Sequence, residues 1–343
     1  MKKLSVWSLA GIALLASPIA MAQDKPAGQP AARPAAEPAT PAEATPVVKL
    51  LDPGAEPRVK LRYAPKVGST SALTMRMKMN TKAEFAGQQM DMNMPTMIMI
   101  MDSNVKEVRP NGDIVYDAVF STMDVEDSED ANPMMAQGMK ASLNTLKGMT
   151  VSAVVSARGE TKSAEFKLPP GATEQANQAM DSMKSSVNQM SAPLPEEAVG
   201  VGAKWEVVST IKNMGLNLKQ TSVMTLKEVS GTTMTLDAQV TQNAEKQDMK
   251  MPGMPPGLKV ELVSLKSNGQ GTIKASTDSI TPIESKMDLQ SDQEMTINQG
   301  GGAPGQSMKQ SIKMDLTMKS GPVKATEPAK AEPKATEPAP APK

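Results

Sequence analysis

The sequence predicts a mainly β protein with two helices, in which two related curved antiparallel sheets form a sandwich or an open barrel. Three observations predict it. Long stretches alternate polar with apolar residues, the period of a half-buried strand. Two shorter stretches repeat apolar residues at steps of three and four, the period of a helix. Several strand–turn–strand phrases of the first part recur in the same order in the second.

Residues 1–22 read as a secretory signal peptide. Lys2 and Lys3 form the positive start, Leu4 to Ala16 the apolar run, and Ala20-Met21-Ala22 the small-x-small cleavage pattern, so the mature chain is expected to begin at Gln23. The apolar run falls short of the ~20 residues that span a bilayer. No later segment has the length and apolarity of a transmembrane helix, and there is no cysteine to carry a lipid anchor. The expected location is the periplasm or the exterior. Residues 23–57, rich in Ala, Pro and Glu, and residues 321–343, where KATEP recurs at 324–328 and 334–338, bury too little apolar surface to fold and are expected to be a disordered linker and tail. That leaves a first β-rich half with both helices at 58–198 and a second β-rich half at 199–320.

In the first half, strands are expected at Arg58–Ala64, Ser71–Phe85, Met90–Val108 and Asp113–Val125, the last two joined by the turn Pro110-Asn111-Gly112. A helix follows, with Asn132 as cap, Pro133 in its first turn, and Met135, Met139, Leu143 and Leu146 on one face. Strands Met149–Ala157 and Thr161–Leu168 hinge at Arg158-Gly159. Ala176, Met180, Met183, Val187 and Met190 mark the second helix. After Pro193-Leu194-Pro195 the second half reads as strands 204–212, 217–229, 232–243, 258–267, 270–277, 280–296 and 308–319.

The recurring phrases suggest a duplication. Lys66-Val67-Gly68 is matched by Val201-Gly202-Ala203. Val105-Lys106-Glu107-Val108, followed by Asp117-Ala118-Val119, is matched by Leu226-Lys227-Glu228-Val229, followed by Asp237-Ala238-Gln239-Val240. Val155 to Gly159 is matched by Leu265 to Gly269. The phrase Val199-Gly200-Val201-Gly202-Ala203-Lys204-Trp205 entering a long strand, together with hairpins such as Val155-Ser-Ala-Arg-Gly-Glu160, resembles a family of secreted bacterial proteins known only as a domain of unknown function. The resemblance would cover 58–320 and implies no activity. In architecture alone, long curved hairpins beside a few helices look like the periplasmic lipoprotein-carrier fold, which cups acyl chains; a shared fold does not establish a shared function.

Composition removes most catalytic chemistry. With no histidine and no cysteine, no Ser-His-Asp or Cys-His nucleophile can be assembled, and the usual zinc, haem and iron–sulfur ligands are missing. Paired carboxylates would permit glycoside hydrolysis, but two tyrosines and two tryptophans, one of them Trp7 in the signal segment, are few for stacking sugars. No pair of acids stands out as acid and base, so the protein is not expected to be an enzyme and no cofactor is called for. Charge is balanced at 37 basic and 37 acidic residues, with no basic stripe, which argues against a nucleic-acid partner.

Thirty methionines remain to be explained. Nine of them, Met75, Met77, Met79, Met90, Met92, Met94, Met97, Met99 and Met101, lie on one hairpin. A two-residue turn at Gly87-Gln88 sets Phe85 opposite Met90. A one-residue bulge at Pro95-Thr96 then sets Met79, Met77 and Met75 opposite Met97, Met99 and Met101. All nine and Phe85 then share a face, with Arg76, Lys78, Lys82 and Glu84 on the other. Such a face would serve as core, as an adaptable groove for a lipid or apolar peptide, or as a thioether site for Cu(I). The copper candidates are Met90, Met92 and Met94 with Met249, Met251 and Met254. The five acids within Asp124 to Asp130 precede a helix, where negative charge is favourable without a cation. Gly300-Gly301-Gly302 lacks the Lys-Ser/Thr of a phosphate loop.

The leading expectation is an exported, non-catalytic envelope protein that acts as a binding or scaffold module. Its partner would be another envelope protein or an apolar ligand. The alternatives are a lipid or apolar-ligand carrier with a Met-lined groove, and a periplasmic Cu(I)-handling protein.

Overall fold

The structure, a computed structural model, describes residues 46–85, 87–126, 132–169, 193–213, 216–249, 258–299 and 305–323. Its strands are β1 (Val47–Asp52), β2 (Thr70–Phe85), β3 (Gln88–Asn93), β4 (Met97–Val108), β5 (Ile114–Val125), β6 (Thr150–Val155), β7 (Thr161–Lys167), β8 (Lys204–Asn213), β9 (Leu216–Ser230), β10 (Thr233–Ala244), β11 (Gln247–Met249), β12 (Leu258–Ser276), β13 (Glu284–Gln299) and β14 (Gln306–Gly321). The helix α1 (Pro133–Asn144) links β5 to β6. All the strands belong to a single antiparallel sheet in the order β1-β8-β9-β10-β12-β13-β14-β2-β4-β5-β6-β7, with β11 beside β12 and β3 beside β2. This corrects the expected pair of sheets: β14 pairs with β13 on one side and β2 on the other, welding the two halves into one layer. The outermost strands, β1 and β7, do not pair with each other, so the sheet is not closed into a barrel.

The sheet nevertheless curls on itself. One packing cluster joins Trp205, Leu226 and Leu236 of β8–β10 to Val105 and Ile114 of β4 and β5. Those strands lie far apart in the sheet order, and only a strong coil brings their inner faces together. Glycines on β12 permit part of the bend. A Cβ on Gly271 would sit 2.2 Å from the Lys286 carbonyl oxygen, and one on Gly269 would sit 2.9 Å from the Leu289 side chain. The strands approach there more closely than any larger residue allows.

Several expected boundaries move. Val47–Asp52, assigned to the linker 23–57, instead forms the edge strand β1 on β8. Arg58–Ala64 is not a strand. Val59 makes a lone bridge to Val199, and beyond it Tyr63 N donates to Ala157 O at 2.8 Å and Ala64 N to Thr277 O at 2.7 Å. This segment straps the β6–β7 turn to the β12–β13 turn. The two strands expected at 258–267 and 270–277 are one strand running straight through Gly269. The first helix forms, capped by Asn132, whose side chain accepts from Met134 N at 3.0 Å, but it ends at Asn144, so Leu146 lies in the turn that follows. The second, at 176–190, lies outside the described residues.

The phrases that recur in sequence make the same bonds. Gly68 N donates to Val105 O at 2.8 Å, and Gly202 N to Leu226 O at 2.7 Å; both glycines have φ near +85°, at 84° and 87°. The register of β4 with β5 skips Lys106, and that of β9 with β10 skips Lys227. Each lysine reaches an aspartate on the next strand, Lys106 to Asp117 at 3.7 Å and Lys227 to Asp237 at 3.5 Å. Each aspartate accepts from a hydroxyl on the strand beyond, Ser152 or Thr272. The third expected match fails. Gly159 occupies a tight turn with φ 85°, whereas Gly269 is mid-strand. The bond that Ser156 makes, its hydroxyl accepting from Arg158 N, is made in the second half by Ser276, whose hydroxyl accepts from Asp278 N.

Candidate functional site: the methionine-lined inner face

Strand alternation directs the odd-numbered residues of β2 and β4 to the inner face. The observed hairpin register pairs Phe85 with Gln88 and Ala83 with Met90, then Met77 with Met97 and Met75 with Met99. The one-residue offset expected at Pro95-Thr96 is present. The absolute register is two residues away from the expected one, because Gly87, with φ 78°, closes the turn rather than opening it. A slip of two preserves the face. Met75, Met79, Met94 and Met101 are buried; Met77, Met92, Met97, Met99 and Phe85 are half-buried; Met90, near the hairpin tip, is 39% exposed.

In-register neighbours extend the face beyond the hairpin. Met318 of β14 faces Met75, Met75 faces Met99, and Met99 faces Met123 of β5. Adjacent strands lie about 4.8 Å apart, so the four thioethers form a continuous row across four strands. Met314 of β14 faces Met79 in the same way. Over this region lies α1, which packs Met139, Met135 and Leu143 against Met77, Met79, Met94, Met97, Val125 and Met314. A helix rather than a second sheet therefore covers the hairpin. Met249 packs elsewhere, with Val260, Leu262 and Met308. Met94 and Met249 thus fall in separate clusters, and Met251 and Met254 lie outside the described residues.

Along the second half the inner face is not uniformly apolar, which the sequence reading missed. Successive in-register residues form two polar rows. In one, Gln220, Gln242, Ser267 and Ser291 face one another across β9, β10, β12 and β13. Gln242 Nε2 donates to Gln220 Oε1 at 2.8 Å, and Ser267 Oγ donates to Ser291 Oγ at 2.7 Å. In the other, Gln293 of β13 faces Gln310 of β14, flanked by Leu265 and Ala83. The Oε1 atoms of both glutamines are buried without a hydrogen-bond partner. A strict odd–even reading of β13 and β14 would have found this pair, since Gln293 and Gln310 share the parity of Met295 and Met308.

Tyr116 packs beside Met75, Met101 and Met123, and burial raises its phenol; the other displaced groups lie elsewhere. Asp113, in the β4–β5 turn, is buried against Lys162 at 2.7 Å, and that hydrogen bond holds its carboxyl below the ordinary 3.8. Burial pushes the Tyr63 phenol up to about 12.

Residues 172–281 match the model of a family described only as a family of unknown function (DUF6263). The match is narrower than the 58–320 expected, and it holds the Val199–Trp205 phrase and the strands from β8 through β12. No curated protein matches the chain. Among solved structures, OccAB2 of Acinetobacter baumannii is 5% identical at a TM-score of 0.19, covering 76% of this chain and 100% of its own. OpdL of Pseudomonas aeruginosa is 5% identical at 0.17, covering 74% and 98%. Likeness at that level does not extend to the fold. Among the described residues no helix is long and apolar enough to cross a membrane.

Proposed function

We propose that this is an exported, non-catalytic protein of the cell envelope that holds an apolar or amphipathic ligand on the methionine-lined inner face of its curled sheet. The observation that carries the reading is that Met99 and Met318, in the row they form with the buried Met75 and Met123, stay half-buried on a face that α1 covers around Met77 and Met97. A face meant only as core would be expected to be packed shut. Flexible, polarizable thioethers adapt to chains of different shape. This favours the carrier over a pure scaffold. The start of the chain, with Lys2, Lys3, the apolar run and Ala20-Met21-Ala22, supports export and cleavage before Gln23. The lack of histidine and cysteine supports a non-catalytic role. We also infer that the β8–β13 and β2–β7 runs arose by duplication, on the strength of the matched glycine, lysine–aspartate and serine contacts.

Native mass spectrometry of the protein purified gently from its envelope fraction tests the proposal. The expected result is a mature chain beginning at Gln23 and carrying the excess mass of a bound amphiphile. A bare chain that also fails to brighten N-phenyl-1-naphthylamine would overturn it.

A further inference from the structure

We infer that the ligand carries an uncharged hydrogen-bond donor, a hydroxyl or an amide N–H, which lodges against Gln293 and Gln310. The inference rests on the apolar-ligand reading above and specifies the ligand's head. The two amides face each other across β13 and β14, in a row whose other members, Leu265 and Ala83, are apolar and buried. Gln310 is only 4% exposed. Both Oε1 atoms are acceptors buried without a donor. Buried acceptors find partners in native proteins, and one left without is explained by a bound group or a water. No nearby polar group reaches them: Ser267 Oγ donates to Ser291 Oγ, the Gln242 amide donates to Gln220, and neither glutamine oxygen accepts from any of these.

The surroundings specify the donor. On the same strands the charged side chains Lys82, Glu84, Lys266, Asp292 and Lys309 belong to the opposite parity and face outward. Among the described residues no charge lines the inner face beside the pair, and a buried ammonium without a carboxylate would be costly. A neutral O–H or N–H meets two carbonyl acceptors at no such cost. Below the polar rows lie the methionines of β2, β4 and β14, which suit an alkyl chain.

The probes are 1-dodecanol and 1-methoxydodecane, which share a chain length and differ in whether the head oxygen bears a hydrogen. Each is titrated against the full-length mature protein preloaded with N-phenyl-1-naphthylamine, and displacement is read as lost fluorescence. The alcohol is expected to bind about tenfold more tightly than its methyl ether, the discrimination one neutral hydrogen bond to a buried acceptor supplies. In the double variant Gln293→Leu, Gln310→Leu, circular dichroism confirming the fold, the preference is expected to vanish while the ether binds as well as before. Equal binding of the two probes by the unmodified protein overturns the inference and leaves the carrier reading standing; that arm needs no variant. Retention of the preference in a folded double variant also overturns it. Binding of neither probe removes the carrier reading and this inference with it.

Discussion

The indole of Trp205 is fully buried, and its Nε1–H donates to the Pro193 carbonyl at 2.9 Å. It packs where β8 meets β4 and β5 inside the curl. Trp205→Phe keeps an aromatic ring but opens a void and orphans that carbonyl. It is expected to cost about 2–3 kcal/mol, measured by urea unfolding followed by circular dichroism. The role of this residue was legible in the sequence, since a lone tryptophan opening a strand after a glycine turn is a packing anchor. Asp113 makes a pH prediction. Its folded carboxyl titrates below the ordinary 3.8, chiefly through the hydrogen bond from Lys162. The stabilisation is therefore present above that value and is lost as pH falls through the lowered one. The urea midpoint of the unmodified protein is expected to drop as pH is lowered past the ordinary carboxylate value, and by less in Asp113→Asn. The parity of Gln293 and Gln310 was legible, since each falls on the face of Met295 or Met308; that they meet was not, because only the register sets them side by side.

At the scale of elements, glycine marks both the turns and the bend. Gly68 and Gly202 hold φ of 84° and 87° with open space around the missing Cβ. Alanine at either is strained by its backbone alone, and each substitution is expected to cost about 1–2 kcal/mol and about the same as the other. Gly271→Ala fails for a different reason, because the added methyl meets the Lys286 carbonyl oxygen. The expected loss is about 1–3 kcal/mol, with weakened amide protection along β12 and β13 in hydrogen exchange. Alternation made most strands readable, and Asn132-Pro133 made α1 readable. The strap at 58–64 was not readable, because extended chain that bonds to turns rather than to a neighbouring strand has the same apolar pattern as a strand. Nor could Gly269 be told from a hinge such as Gly159: one residue type serves a tight turn and a close strand contact.

At the scale of the molecule, the two halves are not separate domains. The cluster around Trp205 draws on both, through Val105 and Ile114 on one side and Leu226 and Leu236 on the other. Residues 58–198 and 199–320 expressed apart would each expose that shared interior, and neither is expected to show a cooperative urea transition, whereas the joined chain shows one. The alternation foresaw a mainly β, antiparallel chain but made it two sheets where the structure has one. Pairing between residues more than two hundred positions apart, as between Phe85 and Met308, leaves no trace in local periodicity.

The place of β14 has a consequence for how the protein is made. The last strand to be synthesised is the one that sits between β13 and β2. Until Gly321 emerges, β2 lacks its neighbour on that side, and the nascent chain holds two unfinished sheets rather than one. Chains of this length grow at about 5–20 residues per second, and folding dominated by distant pairings is slow in any case. The single sheet of the described strands is thus completed only by β14. Under the proposed export, a chain that stays open to its final described strand would remain threadable by a channel that passes only extended polypeptide.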